Sequence, residues 1–264
     1  MKKLILNYLV IVAVAISAVF TSCDDDDIID DDNGIVRLLE AIIYNDGTYE
    51  RYEYDDENRN IAFLKYGNND ELKEKITYIY DGNNLIKSVQ EFPSYQTTNT
   101  WDYEYMYSAN EIIGCTTTHT YWNGSVAIST IDFNSDGNIV HRTEFSTGLF
   151  IVYTIEFLSG NITKITTQTQ IDGTAGGTSV YRYEYDDKKS PFYYCKPHLL
   201  NFDNFGGSLN NRIAYYAKAN SHPEDLIEEY EYEYDSDGFP IKCITKSWNG
   251  TTKSVAEYKY KIIE

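Results

Sequence analysis

The sequence predicts an all-β fold, a large antiparallel up-and-down meander of roughly sixteen strands that curls into a strongly curved sheet or barrel. Three observations predict it. Strand-like runs ending in an aromatic residue recur about every 26 residues, at Tyr54, Tyr80, Tyr107, Phe133, Phe157, Tyr185, Tyr234 and Tyr260, and the one long gap, after Tyr185, is close to two periods. Before the marks, aromatic and charged residues alternate, as in Tyr181-Arg182-Tyr183-Glu184-Tyr185 and Tyr230-Glu231-Tyr232-Glu233-Tyr234, which is the period of a half-buried strand. After them come residues that close tight turns, such as Asp81-Gly82-Asn83-Asn84 and Asp235-Ser236-Asp237-Gly238.

In chain order, the first element is not part of this fold. Lys2 and Lys3 precede an apolar run from Leu4 to Phe20, and Thr21 and Ser22 lead into Cys23. A charged start, an apolar stretch and small residues before a cut site make a secretory signal. The cysteine in that place resembles the lipobox of bacterial lipoproteins, in which the thiol is acylated and the chain is cut just before it. Residues 1–22 are then a signal peptide, and Cys23 is the lipidation site. A transmembrane anchor is the alternative, but the run ends at Thr21-Ser22-Cys23 without a basic stop-transfer cluster.

Residues 23–34 form an acidic tether, with Asp24 to Asp27 and Asp30 to Asp32. The run resembles the signal that sends lipoproteins of Bacteroidota to the outer face of the outer membrane. In other bacteria an aspartate directly after the lipidated cysteine favours the inner membrane instead. A solvated, self-repelling spacer explains the same residues.

Residues 35–264 form a single repeat-built β domain. The chain carries 41 acidic against 22 basic residues, a net charge of −19, and loss of Lys2 and Lys3 with the signal makes it more acidic still. Such a surface repels nucleic acid and anionic lipid, which makes both poor partner candidates, and no nucleic-acid partner is expected. The 26 tyrosines suit strands with one half-wet face, since the ring packs while the hydroxyl reaches a partner. After each turn a second strand starts, often with a lysine, as at Lys87, Lys164 and Lys242. In a meander, one rim collects the Asp-Gly tips and the other the longer connections. An irregular or helical insert interrupts the pattern near residues 191–223, where Pro197, Gly206 and Gly207 surround Leu199, Phe202 and Phe205, and it is expected to cover apolar surface or plug one end.

The Tyr-x-Tyr-Asp-x-x-Gly-Asn units, the stretch Tyr185-Asp186-Asp187-Lys188-Lys189-Ser190-Pro191-Phe192 and the later Asn210-Asn211 resemble Bacteroidota lipoproteins classed as a domain of unknown function with a porin-like β fold. The units are more distantly similar to the tyrosine-aspartate repeats of large secreted shell proteins. The resemblance covers residues 48–262 and implies a soluble, porin-like fold; it carries over no catalytic residue. Pro197 and His198 depart from the apolar insert of that family.

Candidate chemistry is sparse. Asn134-Ser135-Asp136-Gly137 and Asp235-Ser236-Asp237-Gly238 begin like calcium loops but lack the later ligands, so hairpin turns explain them. His119, His141, His198 and His222 show no metal-ligand spacing, and His141 occupies the slot of the strand-surface lysines. No phosphate loop or nucleophile elbow is present, and no cofactor or metal is expected. Cys115, Cys195 and Cys243 fall at the same position of their units, and because equivalent positions even in successive units are two strands apart, beyond disulfide reach, they read as small buried thiols. The candidate ligand-binding residues are Trp101, Trp122 and Trp248, with Tyr95 and Tyr121, near the long-loop rim. Either they form a stacking surface for a glycan or peptide, or the tryptophans cap the open end of the sheet.

The expected function is that of a lipid-anchored, surface-exposed lipoprotein of the outer membrane with a non-enzymatic binding or structural role, toward a glycan or another envelope protein. The alternatives are an integral outer-membrane barrel, disfavoured by charges alternating with tyrosine along the strands, and a secreted hydrolase, supported only by abundant carboxylates.

Overall fold

The computed structural model describes residues 36–263 apart from 83, 109–110, 134–138, 146–148, 172, 195–207 and 221. Cys23, the signal, the tether, Cys195 and His198 lie outside the described residues, as does the side chain of His141. Among the described residues sixteen strands run in chain order. The first eight are β1 (Val36–Tyr44), β2 (Tyr49–Tyr54), β3 (Asn60–Tyr66), β4 (Leu72–Asp81), β5 (Asn84–Phe92), β6 (Thr97–Ser108), β7 (Glu111–Thr120) and β8 (Val126–Phe133). The second eight are β9 (Ile139–Phe145), β10 (Leu149–Leu158), β11 (Asn161–Ile171), β12 (Thr174–Lys189), β13 (Asn210–Ala219), β14 (Asp225–Tyr234), β15 (Pro240–Ser247) and β16 (Thr252–Ile263). Each pairs antiparallel with its sequence neighbours, and β1 pairs with β16 from Val36↔Ile263 to Tyr44↔Ala256, so the meander closes into a barrel.

A single device repeats around the wall. Where a hairpin leaves the Asp-Gly turn, one residue of the second strand bulges out, and the aromatic mark stands opposite the residue before the bulge. Tyr54 faces Asn60, Tyr80 faces Leu85, Phe157 faces Ile162 and Tyr234 faces Pro240, each beside a register shift. The bulge strengthens local twist, which a closed sheet requires. It also takes a carbonyl off the ladder, and a tyrosine hydroxyl from the next even-numbered strand donates to it. Tyr80 reaches Asn60 O at 2.6 Å, Tyr105 reaches Leu85 O at 2.7 Å, Tyr185 reaches Ile162 O at 2.6 Å and Tyr260 reaches Pro240 O at 2.8 Å. Tyr54 does the same for Leu39 O at 2.8 Å, at the bulge between β1 and β16. At Tyr54, Tyr80, Tyr185 and Tyr260 the sequence mark is therefore the clamp of a bulge, whereas the marks Phe133 and Phe157 have no hydroxyl to donate and the Tyr234 hydroxyl goes to Asp186 instead.

The alternation within strands sorts side chains between two unlike faces. Inward lie the alternating tyrosines such as Tyr52, Tyr103, Tyr232 and Tyr258, with the apolar core. One cluster joins Cys115, Ile131, Ile155, Ile162, Ile165 and Tyr183 with rings from β6 to β13, and so fills that part of the lumen. A second gathers Leu39, Ile42, Cys243 and Ala256. Outward lie cross-strand ion pairs: Lys87 with Asp102 at 3.0 Å, Arg142 with Asp132 at 2.7 Å, Lys164 with Glu156 at 2.6 Å, and Lys242 with Glu233. The recurrent lysine of the second strand is explained by these pairs, each contributing ~0.2–1 kcal/mol at an exposed position.

The antiparallel order places alternate connections at opposite rims. The rim of Asp-Gly tips also carries the insert between β12 and β13, so the longest connection leaves the rim of short turns. The insert is shorter than the stretch 191–223, because β13 occupies residues 210–219. Its described part plugs this end: Tyr194 stacks on Phe239 at 5.8 Å beside Leu38, and Phe192 meets Tyr52 edge-on at 5.5 Å. Asn211 ties the base of the insert to the wall, its amide donating to Lys189 O at 2.9 Å and its backbone N–H to Asp186 at 3.1 Å.

Candidate functional site

A sixteen-stranded barrel is wide enough for an open channel. Here the core cluster fills one side and the plug closes one end, leaving a cavity of about 670 Å³ bounded by β13 to β16 and β1 to β6. Its walls are mostly rings: Tyr44, Tyr52, Phe63, Tyr78, Tyr103 and Tyr258. Burial pushes the Tyr44, Tyr52 and Tyr258 hydroxyls well above their ordinary range, so all three are neutral hydrogen-bonding groups at any physiological pH.

Two polar clusters interrupt these walls. In the first, Glu50 stands opposite Lys65, and Lys65 opposite Glu74, on three adjacent strands. The Tyr52 hydroxyl donates to Glu50 at 3.0 Å, and the Gln90 amide donates to Glu74. Burial raises the Glu50 carboxyl, and neither the Tyr52 and Tyr44 hydroxyls nor the Lys65 charge offsets it fully. In the second, Arg212 donates to the Tyr230 hydroxyl at 2.6 Å, and that hydroxyl donates to Glu228. Burial alone raises Glu228, but Lys253 at 2.8 Å and Tyr230 outweigh it and hold the carboxyl below its ordinary range. The Arg212 guanidinium lies 4.5 Å from the Tyr230 ring centroid.

The tryptophans take three different places. Trp101 faces the lumen on β6 and lines the cavity. It stacks on His119 at 4.1 Å and 17°, and His119 contacts Tyr121 at 3.8 Å. Trp122 and Trp248 stand at hairpin tips, 66% and 71% exposed. Both tips are built alike: Gly124 and Gly250 each adopt φ 79°, and the Asn123 and Asn249 side chains each accept a backbone N–H at 3.0 Å. The tips share a rim, as meander geometry expects, yet they lie eight strands apart in either direction around the closed wall. That is roughly 38 Å along the wall at about 4.8 Å per strand, so the two never form one platform. Tyr95, 77% exposed, lies only two strands from Trp122.

Glu50, Lys65, Glu74, Gln90 and Arg212 are absent from the residues singled out by motif. The available signal was phase: Glu50 shares the face of Tyr52 and Tyr54, and Lys65 that of Phe63. Among the described residues, no group of three or more His, Cys, Asp or Glu is placed to hold a metal ion. Cys115 and Cys243 are buried and unbridged. Burial pushes the Cys115 thiol up to about 11 and raises Cys243 as well, so neither is a thiolate nucleophile at neutral pH.

No protein-family model and no curated protein matches the chain. Among solved structures it is similar to a porin-like protein from Bacteroides vulgatus, with a TM-score of 0.53 and 10% identity over 85% of this chain and 99% of that one. A porin-like protein from Bacteroides uniformis is also similar, with a TM-score of 0.48 and 14% identity over 86% of this chain and 96% of that one. The likeness to the first is one of fold: a porin-like closed barrel.

Proposed function

We propose that the chain is a lipid-anchored protein of the outer membrane, held through Cys23 and presented at the cell surface by the acidic tether, whose barrel stands clear of the bilayer and holds a small ligand in its lumen without chemical turnover. One observation carries the reading. The two faces are assigned in reverse of a lipid-facing barrel, with rings inside and charges outside. Glu229, Glu231 and Glu233 all point outward from β14, and Lys242 and Lys246 pair with the latter two from β15. A lysine or arginine facing lipid at the bilayer midplane costs about 2–4 kcal/mol, and this wall carries many. The cavity falls within the ~300–1,000 Å³ of small-molecule sites.

A second reading, an integral outer-membrane barrel, is favoured by strand number and closure alone. The full chain carrying Cys23→Ser separates the two. It is expected to leave the membrane fraction, to stay monodisperse without detergent and to give no conductance in planar bilayers. Detergent-dependent solubility together with pore conductance would overturn the proposal.

A further inference from the structure

The lining of the cavity narrows the chemistry of its occupant, and this step rests on the binding-chamber reading above. Glu50 and Glu74 disfavour an anion, Lys65 and Arg212 disfavour a cation, and all four disfavour an acyl chain, because each would lose hydration without gaining a partner. A ligand that offers both donors and acceptors, and presents apolar faces to rings, satisfies every one of them. A neutral sugar has that composition: hydroxyls at its edge and C–H groups on its faces.

The arrangement around Trp101 fits such a ring. Trp101 on β6, Gln90 on β5 and Glu74 on β4 share the inner wall, with Gln90 bonded to Glu74 and to Asn99 at 3.2 Å. The three strands span about 10 Å, so a sugar lying on the indole face reaches the amide and the carboxylate with its edge. Asn99 in turn accepts the backbone N–H of Trp122 at 3.0 Å, which ties this wall to the exposed tip. Trp101, His119 and Tyr121 form a continuous run of rings from the cavity toward that tip, and His119 Nε2 is buried without a protein hydrogen-bond partner.

We propose that the cavity binds a neutral oligosaccharide of a few residues, with one sugar ring stacked on Trp101 and its hydroxyls bonded to Glu74, Gln90 and Lys65. The exposed Trp122 and Tyr95 stand at the outer end of the ring run, where a longer glycan enters.

Calorimetry on the purified full chain tests this with maltotetraose, cellotetraose and xylotetraose, and with spermidine and dodecanoate as cationic and anionic comparators. At least one tetrasaccharide should bind, and Trp101→Leu and Glu74→Gln should each weaken it about 10-fold or more, as expected of central contacts. Trp248→Ala should leave binding within about 2-fold, its side chain lying outside the lumen. Trp101→Phe, which keeps a ring in the stack, guards against loss by misfolding and should weaken binding by less than Trp101→Leu. Preference for spermidine or dodecanoate, lost in Trp101→Leu, overturns the sugar assignment and leaves the chamber standing, whereas saccharide binding indifferent to Trp101 and Glu74, both of which line the chamber, overturns the site itself. Failure of every probe to bind overturns both.

Discussion

The hydroxyl of Tyr80 donates to the carbonyl of Asn60 at 2.6 Å, clamping the backbone where the preceding hairpin bulges. Because the same bond recurs from Tyr54, Tyr105, Tyr185 and Tyr260, the hydroxyl and not the ring explains why these positions are tyrosine. Tyr80→Phe or Tyr185→Phe should therefore cost about 1–3 kcal/mol, the lost bond plus a carbonyl left unsatisfied. Tyr66→Phe is the contrast: its ring stacks on Tyr49 at 4.6 Å on the outer face, and removing its hydroxyl should change stability by less than about 0.5 kcal/mol. Urea midpoints of the three variants check this. Equal losses at Tyr80 and Tyr66 would refute the clamp.

Much of this architecture is readable from local chemistry. Alternation at Tyr103-Glu104-Tyr105 and the turn Asp235-Ser236-Asp237-Gly238 depend only on neighbours in the chain, so strands and tips follow from them. What resists reading depends on closure or on bulges. The eight-strand separation of Trp122 from Trp248 follows from the meander itself, and what needs β1 to pair with β16 is that the way round the other side is just as long. Arg212 sits beside a bulge at Ile213 that breaks the phase of β13, so its inward position and its bond to Tyr230 do not follow from alternation. Trp101 shares the phase of Tyr103 and Tyr105, which places it inside the wall and not on the rim.

The Glu50 carboxyl supplies a pH test. Burial raises it, so between the ordinary glutamate range and its raised value the folded chain holds more of its proton than the unfolded chain does. Stability then falls as pH rises through that window, and the cost is fully present above it. Glu50→Gln removes the charge while leaving an acceptor for Tyr52. Denaturant melts from about pH 4 to about pH 8 should show a shallower decline for the variant and a higher midpoint at neutral pH. A decline as steep as that of the parent would reject Glu50 as its source.

The three tryptophans should separate by stability alone. Trp122→Ala and Trp248→Ala remove largely exposed rings and should each cost within about 0.5 kcal/mol. Trp101→Ala breaks the stack on His119 and should cost at least about 1 kcal/mol. If truncating Trp122 proves as costly as truncating Trp101, the tip is a cap on the core and not a free face.

The plug makes the largest single demand on one side chain. Phe239 is 0% exposed at the turn between β14 and β15, where its ring meets Tyr194 of the insert at 5.8 Å and Tyr260 of the last strand at 5.6 Å, within the cluster that includes Leu38 of the first. Arg37 and Lys189 lie over the same ring at 5.5 and 5.1 Å. Removing it unfastens the insert from the seam where the barrel closes, so Phe239→Ala should cost about 3–5 kcal/mol. Phe239→Leu keeps most of the volume and should cost less than about 1.5 kcal/mol beyond the lost ring contacts. Hydrogen exchange should locate the loss: faster exchange at Tyr193, Tyr194 and the β1–β16 ladder, with the β10–β11 hairpin unchanged under conditions where the chain stays folded. Acceleration spread evenly over all strands would mean that Phe239 supports the barrel as a whole and not the plug.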